Sequence, residues 1–412
     1  MSKRSQQLYK EFTDLHNYDV RITKNGRWID QKCTPDILAL VVDSMIHYMS
    51  EKETDIVTSK NIWDSEYSRE LVMELFKKAD PWSKAAKNEY DKVFQQPLKM
   101  LSHAGILSES KINRRIHFRV ANMEILETLK YEMNALDFIA IYVEKVLKDS
   151  GLWEIFSNFF KEQNKDSYHL MKEEFVRFTI NNTPINKPTE CRRIFIKVLN
   201  SLAFFKNTKG TEGGHISKSI IQRSDLMYNR DNFRDINKPK NMTRKEYAAT
   251  NPDSKFSCNI LRYMSEKEKK FVRTYNEKYN GGKSEIQCLE SYGSLQIHHI
   301  FMASEHPELS YYRENLIALT PTQHLSFAHP NNDTNTVDPK YRCRCLLNKL
   351  NTIMIDNQNG IFEYDIEKFK EILAIGFSDE SFMNINGNNF DQIKSKIYEI
   401  CNNKYMYESA NA

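Results

Sequence analysis

With 412 residues, 40% hydrophobic and 28% charged, the chain has enough material for a buried core and for two to four domains. No apolar run approaches the roughly 20 residues that cross a bilayer. The opening MSKRSQQLYKEF has basic residues with no apolar stretch behind them, so a secretory or membrane protein is not expected and a cytoplasmic location is the reading. The seven cysteines are odd in number and include no CxxC pair, which argues against a disulfide framework and against a zinc ribbon; Cys343-Arg-Cys345 is the nearest approach to one. Net charge is only +4, but it is unevenly spread. Residues 77–119 carry ten Lys/Arg against four Asp/Glu, and residues 190–255 carry fourteen against seven, as expected of local faces for a polyanion.

In chain order, Thr34-Pro35-Asp36 reads as a helix start, followed by Ile37, Leu38, Val41, Val42, Met45, Ile46 and Met49 at helical spacing. Further helices are predicted around 68–78 and 83–103. Gly105 ends the second, Ile106-Leu107 begins an extended stretch, and 108–120 reads as a turn and a strand in which Arg115, His117 and Arg119 alternate with Ile116, Phe118 and Val120. Helices followed by a basic β-hairpin describe a winged helix, a unit that can set a helix in the major groove and its wing on the backbone.

Helical patterns cover 134–161, 171–180 and 191–205, with a loop at 181–190. The segment NTKGTEGGHISKS (207–219) is expected to be a glycine-rich loop able to approach a ligand closely. Residues 225–247 are rich in Arg, Lys, Asn and Tyr, side chains suited to base edges and phosphates. The candidate DNA contacts are Lys111, Arg114 and Arg115 in the first basic segment and Lys209, Lys218, Arg230 and Arg234 in the second. Beyond 350 the pattern is helical and carries no chemical signal.

Five of the eleven histidines lie between 298 and 329: His298, His299, His306, His324 and His329. Imidazole is a favoured ligand for divalent transition metals, so such clustering suits a metal site. Leu295-Gln296-Ile297 is strand-like and runs into His298-His299, whose side chains point to opposite faces on an extended backbone and so can take separate tasks. Ile317-Ala318-Leu319 is a second short strand, and Thr320-Pro321 opens a helix that places His324 in its first turns.

This segment resembles the HNH nucleases, whose ββα-metal fold is two short strands, a loop and a helix. The pair His298-His299, the phrase Glu314-Asn315-Leu316 and His324, nine residues after Asn315, carry the resemblance. It implies His299 as the general base, His298 and His324 as ligands of one divalent metal, and Asn315 as a brace of the loop. His329 is a weaker ligand candidate, because five residues of α-helix turn it about 500° from His324. The first ligand is His where the family more often has Asp, which leaves Mg²⁺ or Mn²⁺ as the expected ion with Ni²⁺ or Zn²⁺ open.

The resulting expectation is an α+β chain. It has a winged-helix-like DNA-recognition domain at 1–130, a helical linker with a second basic module at 131–256, an HNH nuclease domain at 257–349 and a C-terminal helical region at 350–412. The implied function is a type II restriction endonuclease cutting double-stranded DNA to 5′-phosphate and 3′-hydroxyl ends, working as a homodimer beside a cognate DNA methyltransferase. The alternatives are a homing or toxin nuclease and a winged-helix regulator that does not cut.

Overall fold

The computed structural model describes residues 3–76, 80–83, 87–228, 254–286, 295–329, 333, 336–387 and 389–410. The chain is helix-rich with small antiparallel sheets, an α+β composition. It divides into two compact units, Ser5–Phe256 and Ser257–Ala412, the latter joined by Met1–Arg4. Residues 5–130 and 131–256 therefore share one unit, and 257–349 and 350–412 share the other. No helix among the described residues is long and apolar enough to cross a membrane.

The first unit begins with α1 (Lys3–Asp14) and α2 (Val20–Thr23), then α3 (Pro35–Lys52). Pro35 sits in the first turn of α3, where its missing N–H costs nothing, and Ile37, Leu38, Val41, Val42 and Met45 are buried. A two-residue strand β1 (Ile56–Val57) leads to α4 (Ser59–Trp63), which Thr58 and Asn61 cap reciprocally, and to α5 (Glu66–Phe76) and α6 (Lys87–His103). Residues 108–120, read from the sequence as a turn and one strand, are two strands: β2 (Leu107–Ile112) and β3 (Arg115–Val120). The turn between them places both Asn113 and Arg114 at positive φ, as a two-residue hairpin of native twist requires. β1 pairs with β3, so the sheet order is β1-β3-β2.

After α7 (Met123–Leu129) come α8 (Glu132–Asp149), α9 (Trp153–Glu162), α10 (Lys165–Asn182) and α11 (Pro188–Phe205). The expected glycine-rich loop at 207–219 is instead a second hairpin, β4 (Lys209–Glu212) and β5 (His215–Ile220). Gly213 and Gly214 supply the two positive-φ positions of its turn. Aromatic packing fills this part of the unit: Phe156, Phe175 and Phe195 are buried in mutual ring contact.

The second unit contains α12 (Ser254–Tyr279), the strands β6 (Gln296–His299) and β7 (Leu316–Leu319), and α13 (Pro339–Gln358), α14 (Ile366–Phe377) and α15 (Phe390–Ala410). β6 and β7 pair antiparallel with His298 opposite Ile317 and His299 opposite Leu316. All four residues of β7 are buried. Glu285 anchors its edge: its backbone N–H donates to the Ala318 carbonyl, its carboxylate accepts from the Ala318 N–H, and it pairs with the buried Lys349 of α13 at 2.7 Å. Contrary to the cysteine reading, Cys343 of α13 and Cys401 of α15 form a disulfide, because these two helices pack side by side and set the Cα atoms 6.3 Å apart.

Candidate metal centre and its cleft

β6 and β7 are joined by a 16-residue connection whose shape is set by Asn315 at the foot of β7. The Asn315 side chain is fully buried. Its Oδ1 accepts from the Phe301 N–H at 2.9 Å, and its Nδ2 donates to the Phe301 and Leu309 carbonyls at 2.9 and 3.1 Å. Its carbonyl accepts from the Ile300 N–H. The amide thus ties both ends of the loop together and touches none of the histidines. Arg313 adds a second tie, pairing with Glu268 of α12 at 2.9 Å while its guanidinium lies 3.8 Å above the Phe271 ring.

Strand geometry separates the histidine pair. His299 faces the loop, where Nε2 lies 2.9 Å from the Ser310 carbonyl and 3.0 Å from Ser265 Oγ. A carbonyl can only accept, so in the neutral ring Nε2 carries the hydrogen and Nδ1 keeps the lone pair. Burial, and then the charge of Lys269, pull this imidazole down to about 4, partly offset by the Ser310 carbonyl. His299 is uncharged at neutral pH.

His298 faces the other way, into a cluster with His324 and His329. The three ring centroids form a near-equilateral triangle, with sides of 5.1, 5.0 and 4.9 Å. One ring nitrogen from each lies within 4.8 Å of the others. Three nitrogens bound tetrahedrally to one ion at about 2.0–2.1 Å lie about 3.4 Å apart, so the rings would close by no more than about 1.4 Å around a metal. His298 Nε2 and His324 Nδ1 are buried without a hydrogen-bond partner, an arrangement that costs free energy unless something fills it. His329 Nδ1 lies 2.7 Å from the Thr336 carbonyl, which fixes the tautomer and turns the Nε2 lone pair free. Burial, and then the neighbouring imidazoles, hold His298 well below the usual range and His324 at about 4, so both rings are neutral and available as ligands. The donor set therefore fits a divalent transition metal.

His329 corrects the sequence reading. Counting α-helical rotation turned it away from His324. The helical turn after β7 is instead a π-turn, Gln323–Ala328, whose wider i→i+5 repeat returns the fifth residue to the side of the first; His329 then leaves it in an extended conformation. The turn is started by a reciprocal cap: Gln323 N–H donates to Thr320 Oγ1, and Thr320 N–H donates to the Gln323 side chain. The signal available in the sequence was the chemistry of a third histidine close by, which outweighed the spacing argument. His306 stands apart, near Glu308 and the Phe301 ring.

A cleft of about 760 Å³ opens beside His324, lined by Glu266, Lys269, Lys270 and Arg273 of α12 and by Gln296 and Leu325. Lys269, Lys270 and Arg273 against the one carboxylate of Glu266, which pairs with Lys269 at 2.9 Å, leave this helix face net positive and suited to an anion, and sequence reading had not singled them out. Of the candidate DNA contacts, Lys111, Arg114 and Arg115 are exposed on the first hairpin, Lys218 is exposed on the second, and Lys209 is half-buried there. Arg230 and Arg234 lie outside the described residues. Comparison with protein-family models, curated proteins and solved structures returned no match.

Proposed function

We propose that this chain is a metal-dependent endonuclease of the HNH type that hydrolyses double-stranded DNA, and that it serves as a type II restriction enzyme. The observation that carries the reading is the pairing of two sites across one strand. A neutral imidazole with an oriented lone pair, His299, stands beside three imidazoles, His298, His324 and His329, that converge with unused nitrogens.

In this reading His299 Nδ1 takes the proton from the attacking water, and the Ser310 carbonyl holds the ring and steadies the imidazolium that forms. His298, His324 and His329 hold a divalent ion, which when bound stabilises the charge that develops on the phosphoryl group and the leaving oxygen. The purely nitrogen donor set favours Mn²⁺, Ni²⁺ or Zn²⁺ over Mg²⁺, which prefers oxygen. Lys269, Lys270 and Arg273 hold the DNA backbone in the cleft. The products are a 5′-phosphate and a 3′-hydroxyl. In the other unit, the strand order β1-β3-β2 after α6 supports the reading of a winged-helix-like module, in which Lys111, Arg114 and Arg115 on the hairpin contact the duplex. One such centre cuts one strand, so a homodimer performs the double-strand break, and a methyltransferase of the same specificity protects the host.

Phage and plasmid DNA incubated with the protein and Mn²⁺, Ni²⁺, Zn²⁺ or Mg²⁺ should give discrete fragments. These should be lost with EDTA and with His299→Ala. A metal-dependent smear would remove site specificity. No cutting of methylated or unmethylated DNA would leave a regulator that binds without cleaving.

A further inference from the structure

Residues 132–220 repeat the construction of residues 35–120. Each stretch starts with a long helix (α3, α8), passes through two further helices to another long one (α6, α11) and ends in a hairpin turned by two residues at positive φ, although the second intervening helix is long in the later stretch (α10, 18 residues) and shorter in the earlier one (α5, 11 residues). The joint between last helix and hairpin matches bond for bond. In the first copy Gly105 N–H donates to the Ser102 carbonyl and Ile106 N–H to Leu101; in the second Asn207 donates to Phe204 and Thr208 to Ala203, all at 3.0–3.1 Å. Gly105 and Asn207 take the same left-handed conformation. The hairpins close alike, Ala121 donating to Ile106 and Ile221 to Thr208. Among the described residues the second copy has no counterpart of β1, and its hairpin carries a register shift between Lys209 and Thr211 that the first does not.

The second copy also gathers positive charge at its hairpin. Lys172 of α10 reaches the turn and donates to the Gly214 carbonyl at 2.6 Å. Burial, and then the charge of Arg192 on α11, lower the Lys172 ammonium, with Glu173 offsetting part of this. Neither Lys172 nor Arg192 has an ion pair among the described residues, and Lys218 is exposed on β5. Like charges held together raise the free energy of the free protein and lower it when a polyanion arrives, and duplex DNA offers one charge about every 1.7 Å. We propose that this second helix–hairpin module is a second DNA-backbone contact, with Lys172 and Arg192 each neutralising a phosphate. The proposal rests on the reading that the chain binds duplex DNA, but not on its cutting it.

The test is binding of the full-length protein to a fluorescent 30-base-pair duplex in EDTA, by anisotropy across a salt series. Arg192→Gln, which leaves the Lys172–Gly214 bond intact, should reduce the slope of log K against log salt by about 0.9, and Lys172→Gln with Arg192→Gln by about 1.8. Affinity near 0.1 M salt should fall roughly tenfold per residue by the same relation. An unchanged slope in both variants overturns the proposal. So does an unchanged slope with an altered sedimentation coefficient, which would make the face a contact between copies of the chain. If wild type binds no duplex, the proposal and the nuclease reading fail together. Salt-sensitive binding whose slope falls in the variants, without metal-dependent cutting, upholds the proposal and sinks only the catalytic reading.

Discussion

Asn315 touches no candidate ligand, yet three of its hydrogen bonds define the loop that presents Ser310 to His299. Asn315→Ala would strand the Phe301 N–H and carbonyl in a dry interior, while the Leu309 carbonyl would keep its bond from the Tyr312 N–H. Each unsatisfied buried group costs about 1–3 kcal/mol, part of which relaxation recovers, so a loss of about 3 kcal/mol is expected in urea unfolding. Zn²⁺ affinity should weaken in the same variant, since the strands carrying the histidines lose their shared brace. A change under about 1 kcal/mol would mean the loop holds its shape without the amide. The separate aims of His298 and His299 were legible because strand alternation is a local rule. The place of His329 was not, because its position depends on whether five residues wind as α- or π-helix, and the cap and packing around Gln323 decide that.

At the scale of elements, long apolar helices such as α3 and α11 could be read from periodicity, whereas β4–β5 could not. Its residues are mostly polar or small, and its pairing rests on the Gly213–Gly214 turn and on bonds such as Tyr168 Oη to Thr211 at 2.7 Å. The repeat of the helix–hairpin joint was equally hidden, since Gly and Asn both accept the left-handed position and share no other likeness. At the first joint, the last residue of α6 makes a measurable prediction. The hydroxyl of Tyr142 donates to the Trp28 carbonyl, so His103 Nδ1–H must be the donor to Tyr142, at 2.7 Å. Burial pulls His103 down to about 4. Above pH 6.5 the ring is neutral in folded and unfolded chains and adds no pH dependence. As pH falls from about 6.5 to 4 the unfolded chain takes up a proton that the folded chain refuses, and stability drops by about 2–3 kcal/mol. Comparing urea unfolding of wild type and His103→Gln at pH 7.5 and 4.5 isolates this loss, since every other histidine titrates in both proteins. Equal pH slopes would show that His103 charges freely in the fold.

At the scale of the whole molecule, the helical character and the mixed α+β class followed from composition and periodicity. The Cys343–Cys401 bond did not, because it depends on how α13 and α15 pack rather than on any local pattern. Those cysteines are 58 residues apart in sequence. Closing a loop of that length removes enough unfolded-state entropy to stabilise the fold by about 4 kcal/mol, an upper figure where the unfolded chain keeps some structure. α15 has other attachments: Ile393 and Ile397 are fully buried, and Lys396 pairs with Asp379 at 3.1 Å. Loss of the disulfide should therefore weaken the fold while leaving the helix docked and the histidine cluster intact. Cys343→Ser is expected to lower urea stability by about 2–4 kcal/mol with little change in Zn²⁺ affinity, and wild type in strong reductant should behave as the variant does. If thiol titration of the unreduced, unfolded protein finds both cysteines free, the bond does not form in solution. If reductant changes nothing although the bond does form, α15 is held by its apolar face alone.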